Sequence, residues 1–293
     1  MRSVYMRRGT SFGAKAGMKR SIVALAALAA AGLAWPVAAP ADMYDLRQSD
    51  NDIAVETGLT RFQYRETVGG SVLDSEKSYL PTVTLSGRIL TDAQAPGLLQ
   101  NLYLELHEQG AFGTANYVGS LQDGTPFDGS TSERILNFSA RFGHGFEIGG
   151  NAMLVAFGDI GYRDWSRNLQ GPGGYGEEYG NTEAMAGLLG QISPLPRLVL
   201  SLEGAGGLTF RSSMTAGAPF NATFDLGSEP TWRTGGRIGY AITKSLEITG
   251  SADYTRLKFG ASRLVDTAVG PAFEPDSSTQ ETTVQLGLAY HFF

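Results

Sequence analysis

The chain has no cysteine, which excludes structural disulfides, thiolate metal sites and anchoring through a lipidated cysteine. It also lacks any run of 18 apolar residues, and its mean hydropathy of -0.11 leaves no room for a bundle of spanning helices. Basic residues are in deficit, 23 Lys and Arg against 29 Asp and Glu for a net charge of -6. A nucleic-acid binder needs the opposite balance, because its affinity rests on cations neutralising phosphates. Histidine occurs only three times, which limits general acid–base chemistry. What the 293 residues do hold is 39 glycines and 42% hydrophobic residues, the size of one large β domain or two ordinary ones.

The first 41 residues read as an exported leader. Lys19 and Arg20 precede an apolar run from Ser21 to Ala34, and Ala39-Pro40-Ala41 offers small residues where a signal peptidase cuts, before Asp42. The run is about 14 residues, where a membrane helix needs roughly 20. Residues 1–17 extend it upstream, and either Met1 or Met18 serves as the start. Of the 23 basic residues, six (Arg2, Arg7, Arg8, Lys15, Lys19, Arg20) fall in this leader, so the remaining chain carries 17 against 29 acidic ones, a formal charge of -12. The domain plan is therefore 1–41 extension and leader, 42–52 a short periplasmic segment, and 53–293 one β domain.

Within 53–293 apolar and polar residues alternate with period two, the signature of strands with one greasy face. Tyr79, Val83, Leu85 and Ile89 share one parity while Thr82, Thr84, Ser86 and Arg88 share the other; Leu246, Ile248, Ala252 and Tyr254 alternate with Glu247, Thr249, Ser251 and Asp253. Ten such segments are predicted, at 53–66, 77–90, 100–111, 132–143, 151–163, 179–192, 197–211, 230–242, 245–259 and 279–293. An even number of long strands fits a closed antiparallel up-and-down transmembrane β-barrel with both termini periplasmic. In the first segment the greasy parity switches between Leu59 and Phe62, and a β-bulge is expected there. Connections after odd strands are long, about 10 to 20 residues, and those after even strands are about 2 to 9, as in barrels with long outer loops and tight periplasmic turns. A soluble sandwich or lipocalin-like barrel is disfavoured by strand length and by charges on the second face that a dry core could not absorb.

At the C-terminus Val284, Leu286, Leu288, Tyr290 and Phe292 alternate with Gln285, Gly287, Ala289 and His291, and Phe293 follows. This resembles the terminal strand of Gram-negative outer-membrane proteins, which the barrel-assembly machinery recognises; here the alternation ends one residue early, at Phe292. The stretches Tyr117–Pro126 and Gly161–Tyr179 add a local likeness to a broad proteobacterial outer-membrane β-barrel family, porin-like and without an established activity. The resemblance implies location, fold, and as partners outer-membrane lipid and lipopolysaccharide, with the assembly machinery and periplasmic chaperones during biogenesis. It supplies no catalytic residue, and no cofactor or nucleic acid is expected.

If the greasy parity meets lipid, the other lines the lumen. Its charged members are Arg88, Arg141, Arg163, Arg211, Arg233 and Arg237 against Glu105, Asp159, Glu183, Glu203, Glu247 and Asp253, with His107 among them. Ten strands leave little clear lumen. Two readings follow: a narrow polar pathway for ions or very small solutes, or a plugged interior in a structural or surface-interaction barrel. The five long loops each carry about two net negative charges, from Asp74 and Glu76; Asp123 and Asp128; Asp164, Glu177 and Glu178 against Arg167; Asp225 and Glu229; and Asp266, Glu274 and Asp276 against Arg263. Ordinary solvated loops account for these charges, and the functional alternative is an acidic outer rim that concentrates cations or is bridged by divalent ions to anionic lipid headgroups. Tyr79, Tyr103, Tyr162, Trp165, Tyr179, Trp232, Tyr240, Tyr254 and Tyr290 lie towards strand ends, where interfacial girdles sit.

An enzyme is the competing class. An omptin-like protease would need paired acids and an Asp-His pair at the outer rim, whereas His107 falls on a lumen parity, His144 in a periplasmic turn and His291 near the periplasmic end. A lipid A deacylase would need a His-x-Ser pair, which is absent. The glycine-rich 171–176 stretch lacks the Lys-Ser/Thr of a phosphate loop, and no His/Asp/Glu cluster has metal-ligand spacing.

Overall fold

The computed structural model describes residues 43–121 and 124–292; the leader 1–41, Asp123 and Phe293 lie outside the described residues. Helix α1 (Met43–Ser49) is followed by β1 (Asp52–Val68), β2 (Ser71–Leu90), β3 (Leu102–Ser120), β4 (Pro126–Glu147), β5 (Ala152–Leu169), β6 (Gly176–Leu195), β7 (Leu198–Ala216), a short β8 (Ala222–Gly227), β9 (Pro230–Ala241), β10 (Leu246–Phe259), a small hairpin of β11 (Val265–Thr267) and β12 (Gly270–Ala272), and β13 (Asp276–His291). β1 to β7, β9, β10 and β13 pair antiparallel with their neighbours, β13 joins β1, and β6 joins β7 directly, so ten strands close into a barrel. β8 extends the β7 edge beyond the ring.

The register fixes the dimensions. Stepping across hydrogen-bonded partners from Leu90 through Tyr103, Gly143, Phe157, Gly187, Ala205, Arg233, Thr255, Glu281 and Phe62 returns to β2 at Ser78, twelve residues from the start. Ten strands with that stagger tilt by about 40° and gain roughly 2.5 Å of height per residue. The ends are called near, where the described chain begins and ends, and far.

Two media are written into the strand faces. Around the near half, outward residues are large and apolar: Ile53, Val55 and Leu59, then Val83, Leu85 and Ile89, and on β13 Val284, Leu286, Leu288 and Tyr290, all exposed. Along β9 and the residue after it this belt runs from Trp232 to Ile242, roughly ten residues and hence about 25 Å, the height of a bilayer core. Beyond it the faces invert. Arg61 and Arg65 point out, while Phe62 and Tyr64 are buried inside. The strands run on past the belt for roughly 15–20 Å.

This inversion corrects several expectations. β1 keeps one parity throughout and has no bulge between Leu59 and Phe62; the greasy residues change sides because the medium outside changes. Most predicted long loops are continued strand: β1 and β2 meet in a two-residue turn at Gly69 and Gly70, both with positive φ, the conformation that a tight hairpin requires. Register shifts lie elsewhere in the ring, among them one between Glu66 and Thr67, where β1 meets β2 near their hairpin, and one on β7, where Gly180 pairs Ser213 but Thr182 pairs Phe210. The extra residue is Arg211, with φ 54°. It is exposed, so its assignment to the lumen is wrong: the inserted residue turns its side chain out. Of the predicted 42–52 segment, Met43–Ser49 form α1 inside the near mouth, and β1 begins at Asp52.

Candidate functional site

The interior is stacked in three layers. At the near end, Leu46 of α1 is fully buried against inward side chains of β3, β5, β6 and β7, among them Tyr103, Val155, Phe157, Leu189 and Val199. Arg47 donates to Thr91 O at 2.8 Å and pairs with Glu147 at 2.6 Å; Asp45 accepts the Arg197 N–H at 3.1 Å. The helix is thus tied to the rim on several sides. Asp50, in the turn after it, accepts from Gln191 at 2.9 Å; burial pushes its carboxyl up to about 6 against the pull of Arg88. Beneath lies a row set by register, Arg88–Asp52–His291. Arg88 forks onto Asp52 at 3.0 and 2.7 Å, and Arg237 bridges Glu247 at 2.8 Å and Asp52 at 3.3 Å. Ligating atoms of Asp52, Glu247 and His291 lie within 4.8 Å of one another. Sequence spacing hid this set, which is assembled from three strands. Two guanidiniums already neutralise its carboxylates, so it is read as an ion network.

The middle layer surrounds a cavity of about 170 Å³. Arg141 is its hub, with Glu105 and Glu203 each at 2.8 Å, Asp159 at 3.4 Å and the Phe157 ring 4.0 Å from the guanidinium. Arg233 joins Asp159 at 2.9 Å and Glu203 at 3.2 Å. Arg163 pairs with Glu281 and donates to Asn137 at 3.2 Å. His107, Glu183 and Asp253 complete the wall, with Glu183 accepting from Asn181 at 3.2 Å. Of the thirteen network residues proposed from the sequence, all but Arg211 point inward, with Glu247 in the near layer. The sequence reading missed Asp52, Glu56 and Glu281. Their parity in β1 and β13 marks them as inward; Asp52 lies one residue before the predicted first strand, and Glu56 falls on the segment whose greasy parity switches.

The far layer is aromatic, where the sequence leads one to expect loops. Trp165 stacks on Tyr179 at 4.5 Å and meets Tyr64 and Phe62 edge-on at 5.0 and 5.6 Å, with Leu80, Met214, Leu226, Leu257 and Phe259 packed around. Trp165, Tyr179 and Tyr103 are buried inside and leave the girdle; Tyr79, Tyr162, Trp232, Tyr240 and Tyr290 remain on the outer face as expected. Beside this cluster Arg167 holds Glu76 at 2.8 Å, Glu66 at 3.3 Å, Asp74 at 3.9 Å and Glu177, with Tyr64 under its guanidinium. Trp165 donates to Glu133 at 2.6 Å, and Tyr179 to Glu274 at 2.7 Å. Burial, aided by the Glu177 charge, pushes the Glu274 carboxyl up to about 8. Asp74, Glu76, Glu177 and Glu274 are therefore interior groups, and the expected acidic outer rim shrinks to its exposed members, such as Asp128, Glu178, Asp225 and Asp266.

None of the three histidines stands at the far end. His107 lines the cavity, His291 is buried in the near layer, and His144 lies on β4 facing outward near the belt's lower edge, not in a turn. Glu108 is an outward carboxylate on the belt, in register with Leu85 and Phe138 and bordering an apolar groove floored by Gly87, Ala140 and Gly161.

This closed ten-stranded ring is the fold of Gram-negative outer-membrane β-barrels. Among solved structures it is similar to the outer membrane protease OmpT from Escherichia coli, at 11% identity over 83% of this chain and 98% of that one, TM-score 0.57. Lower likeness extends to Neisserial surface protein A (10% identity, 82% and 97% covered, TM-score 0.32) and to the translocator domain of the autotransporter NalP from Neisseria meningitidis (11%, 85% and 95%, TM-score 0.37). No protein-family profile and no curated protein sequence matches the chain.

Proposed function

We propose that this chain is an integral outer-membrane barrel with a closed lumen, near end periplasmic and far end outside, that acts as a structural and surface-interaction protein rather than as a pore or hydrolase. The observation that carries the reading is that both mouths are filled from within: α1 and Leu46 below, the Trp165–Tyr179 cluster above, with every middle-layer arginine paired between them. The 170 Å³ cavity has room for a few waters and is enclosed by charged side chains fixed to one another, not aligned along a path. What stands outside instead is a rigid column rising above the belt. At its tip Val68, Val72, Leu73 and Val118 are 43–56% exposed, an apolar patch suited to contact with another surface. The leader supports export, and the outward row Val284, Leu286, Leu288, Tyr290 and Phe292 suits handover from periplasmic chaperones to the assembly machinery. Liposome swelling tests the reading. Vesicles containing the heat-modifiable, refolded 42–293 chain should take up arabinose no faster than empty vesicles; influx that scales with protein content would restore the narrow-pathway reading.

A further inference from the structure

Just above the apolar belt, four adjacent strands carry a plate of unpaired cations on the outer face. In register, Lys258 of β10 and Arg65 of β1 flank Ser278 of β13. One row nearer the belt, Arg256 and Lys77 stand at the two ends of the row through Gln280 and Gln63. In the row below that, Arg61 lies between Thr282 and the exposed Tyr79. Strand rise and spacing place neighbouring cations about 7–12 Å apart. None of these five forms an ion pair among the described residues. Arg134, at similar height on β4, is different: it is held by Asp164 at 3.0 Å and Glu178 at 3.7 Å. One row higher, the carboxylate of Asp276 opposite Thr67 accepts the Ala261 N–H at 2.9 Å.

A protein with this excess of acid gains nothing by massing unpaired cations on one side, since like charges there repel. Their position explains them. They stand at the height where a hydrocarbon belt gives way to headgroups, and the rows between them offer hydroxyl and amide donors. Tyr79 and Tyr254 supply the amphipathic rings suited to that depth.

We propose that Arg61, Arg65, Lys77, Arg256 and Lys258 form a binding plate for the phosphate groups of an anionic glycolipid, lipopolysaccharide, in the outer leaflet. The inference rests on the membrane placement proposed above and adds a specific side of the barrel and a specific ligand chemistry.

The test uses the 42–293 chain refolded in zwitterionic detergent, titrated with purified lipopolysaccharide and read by intrinsic tryptophan fluorescence. The variant is Arg61→Gln/Arg65→Gln/Lys77→Gln, and the control is Arg134→Gln. A cation near an anionic surface is worth about a five-fold change in affinity, so the triple variant should bind on the order of 100-fold more weakly. The control should bind like the parent, and added salt should narrow the gap. All three substituted side chains point outward above the belt, so the variant should keep its heat-modifiable band. Equal binding by parent and triple variant, or equal loss in Arg134→Gln, overturns the plate while leaving the barrel intact. Binding abolished by millimolar inorganic phosphate alone overturns the lipid source in favour of free phosphate. Failure of the parent chain to float with phospholipid vesicles would instead overturn the membrane reading itself.

Discussion

Replacing Arg141 by methionine separates a plug from a pathway. The side chain is 7% exposed and its guanidinium is shared by Glu105, Glu203 and Asp159, with Phe157 stacked beneath. Methionine fills similar volume but leaves three carboxylates facing one another, with only Arg233 still touching Asp159 and Glu203. Removing one partner of a buried pair costs about 3–5 kcal/mol, because the charge left behind is uncompensated. The remaining Arg233 contacts and cavity water place the expected loss at the lower end, about 3 kcal/mol. Lysine keeps the charge but cannot fork across two carboxylates, so Arg141→Lys should fall between parent and methionine. The assay is equilibrium urea unfolding of the refolded barrel in lipid vesicles, followed by tryptophan fluorescence, with ion flux measured on the same vesicles. A plug predicts lost stability and unchanged flux. A change in flux with stability within about 0.5 kcal/mol of the parent would refute the reasoning.

Two further perturbations probe other layers. Because the folded Glu274 carboxyl titrates near 8 rather than 4.5, the folded state holds a proton that the unfolded chain releases, and stability falls as pH rises from about 4.5 to about 8. Glu274→Gln should match the parent at pH 4 and exceed it at pH 8.5 by at least about 1 kcal/mol; identical urea midpoints at both pH values would remove the buried carboxyl from the account. On the belt, Glu108→Leu should stabilise the barrel in vesicles by about 1 kcal/mol, since a lipid-facing carboxylate is costly. Destabilisation there would show that Glu108 has a partner in the membrane.

How far the sequence could be read follows from what each residue faces. Where the outside is lipid, greasy and wet residues alternate in a fixed phase, so the near halves of all ten strands and the inward arginines were legible. Above the belt the outside is polar and the phase inverts, with Phe62 and Tyr64 inside and Arg61 and Arg65 outside. A rule that follows one greasy parity sees a bulge or a loop at that point. For the same reason Trp165 and Tyr179 passed for interfacial aromatics, and Glu76 and Glu177 for solvated loop acids. Their common partner Arg167 is 91 residues from Glu76, a pairing that only the closed ring reveals. Arg211 failed for a local reason, a one-residue insertion in β7 that reverses its facing.

The claim that both mouths are closed is tested most directly by planar-bilayer recording of the refolded 42–293 chain in symmetric 1 M KCl. The account predicts inserted, protease-resistant barrels that stay electrically silent across the applied voltage range. Discrete, reproducible conductance steps from the parent protein would contradict it and return the interior arginines to the role of a filter.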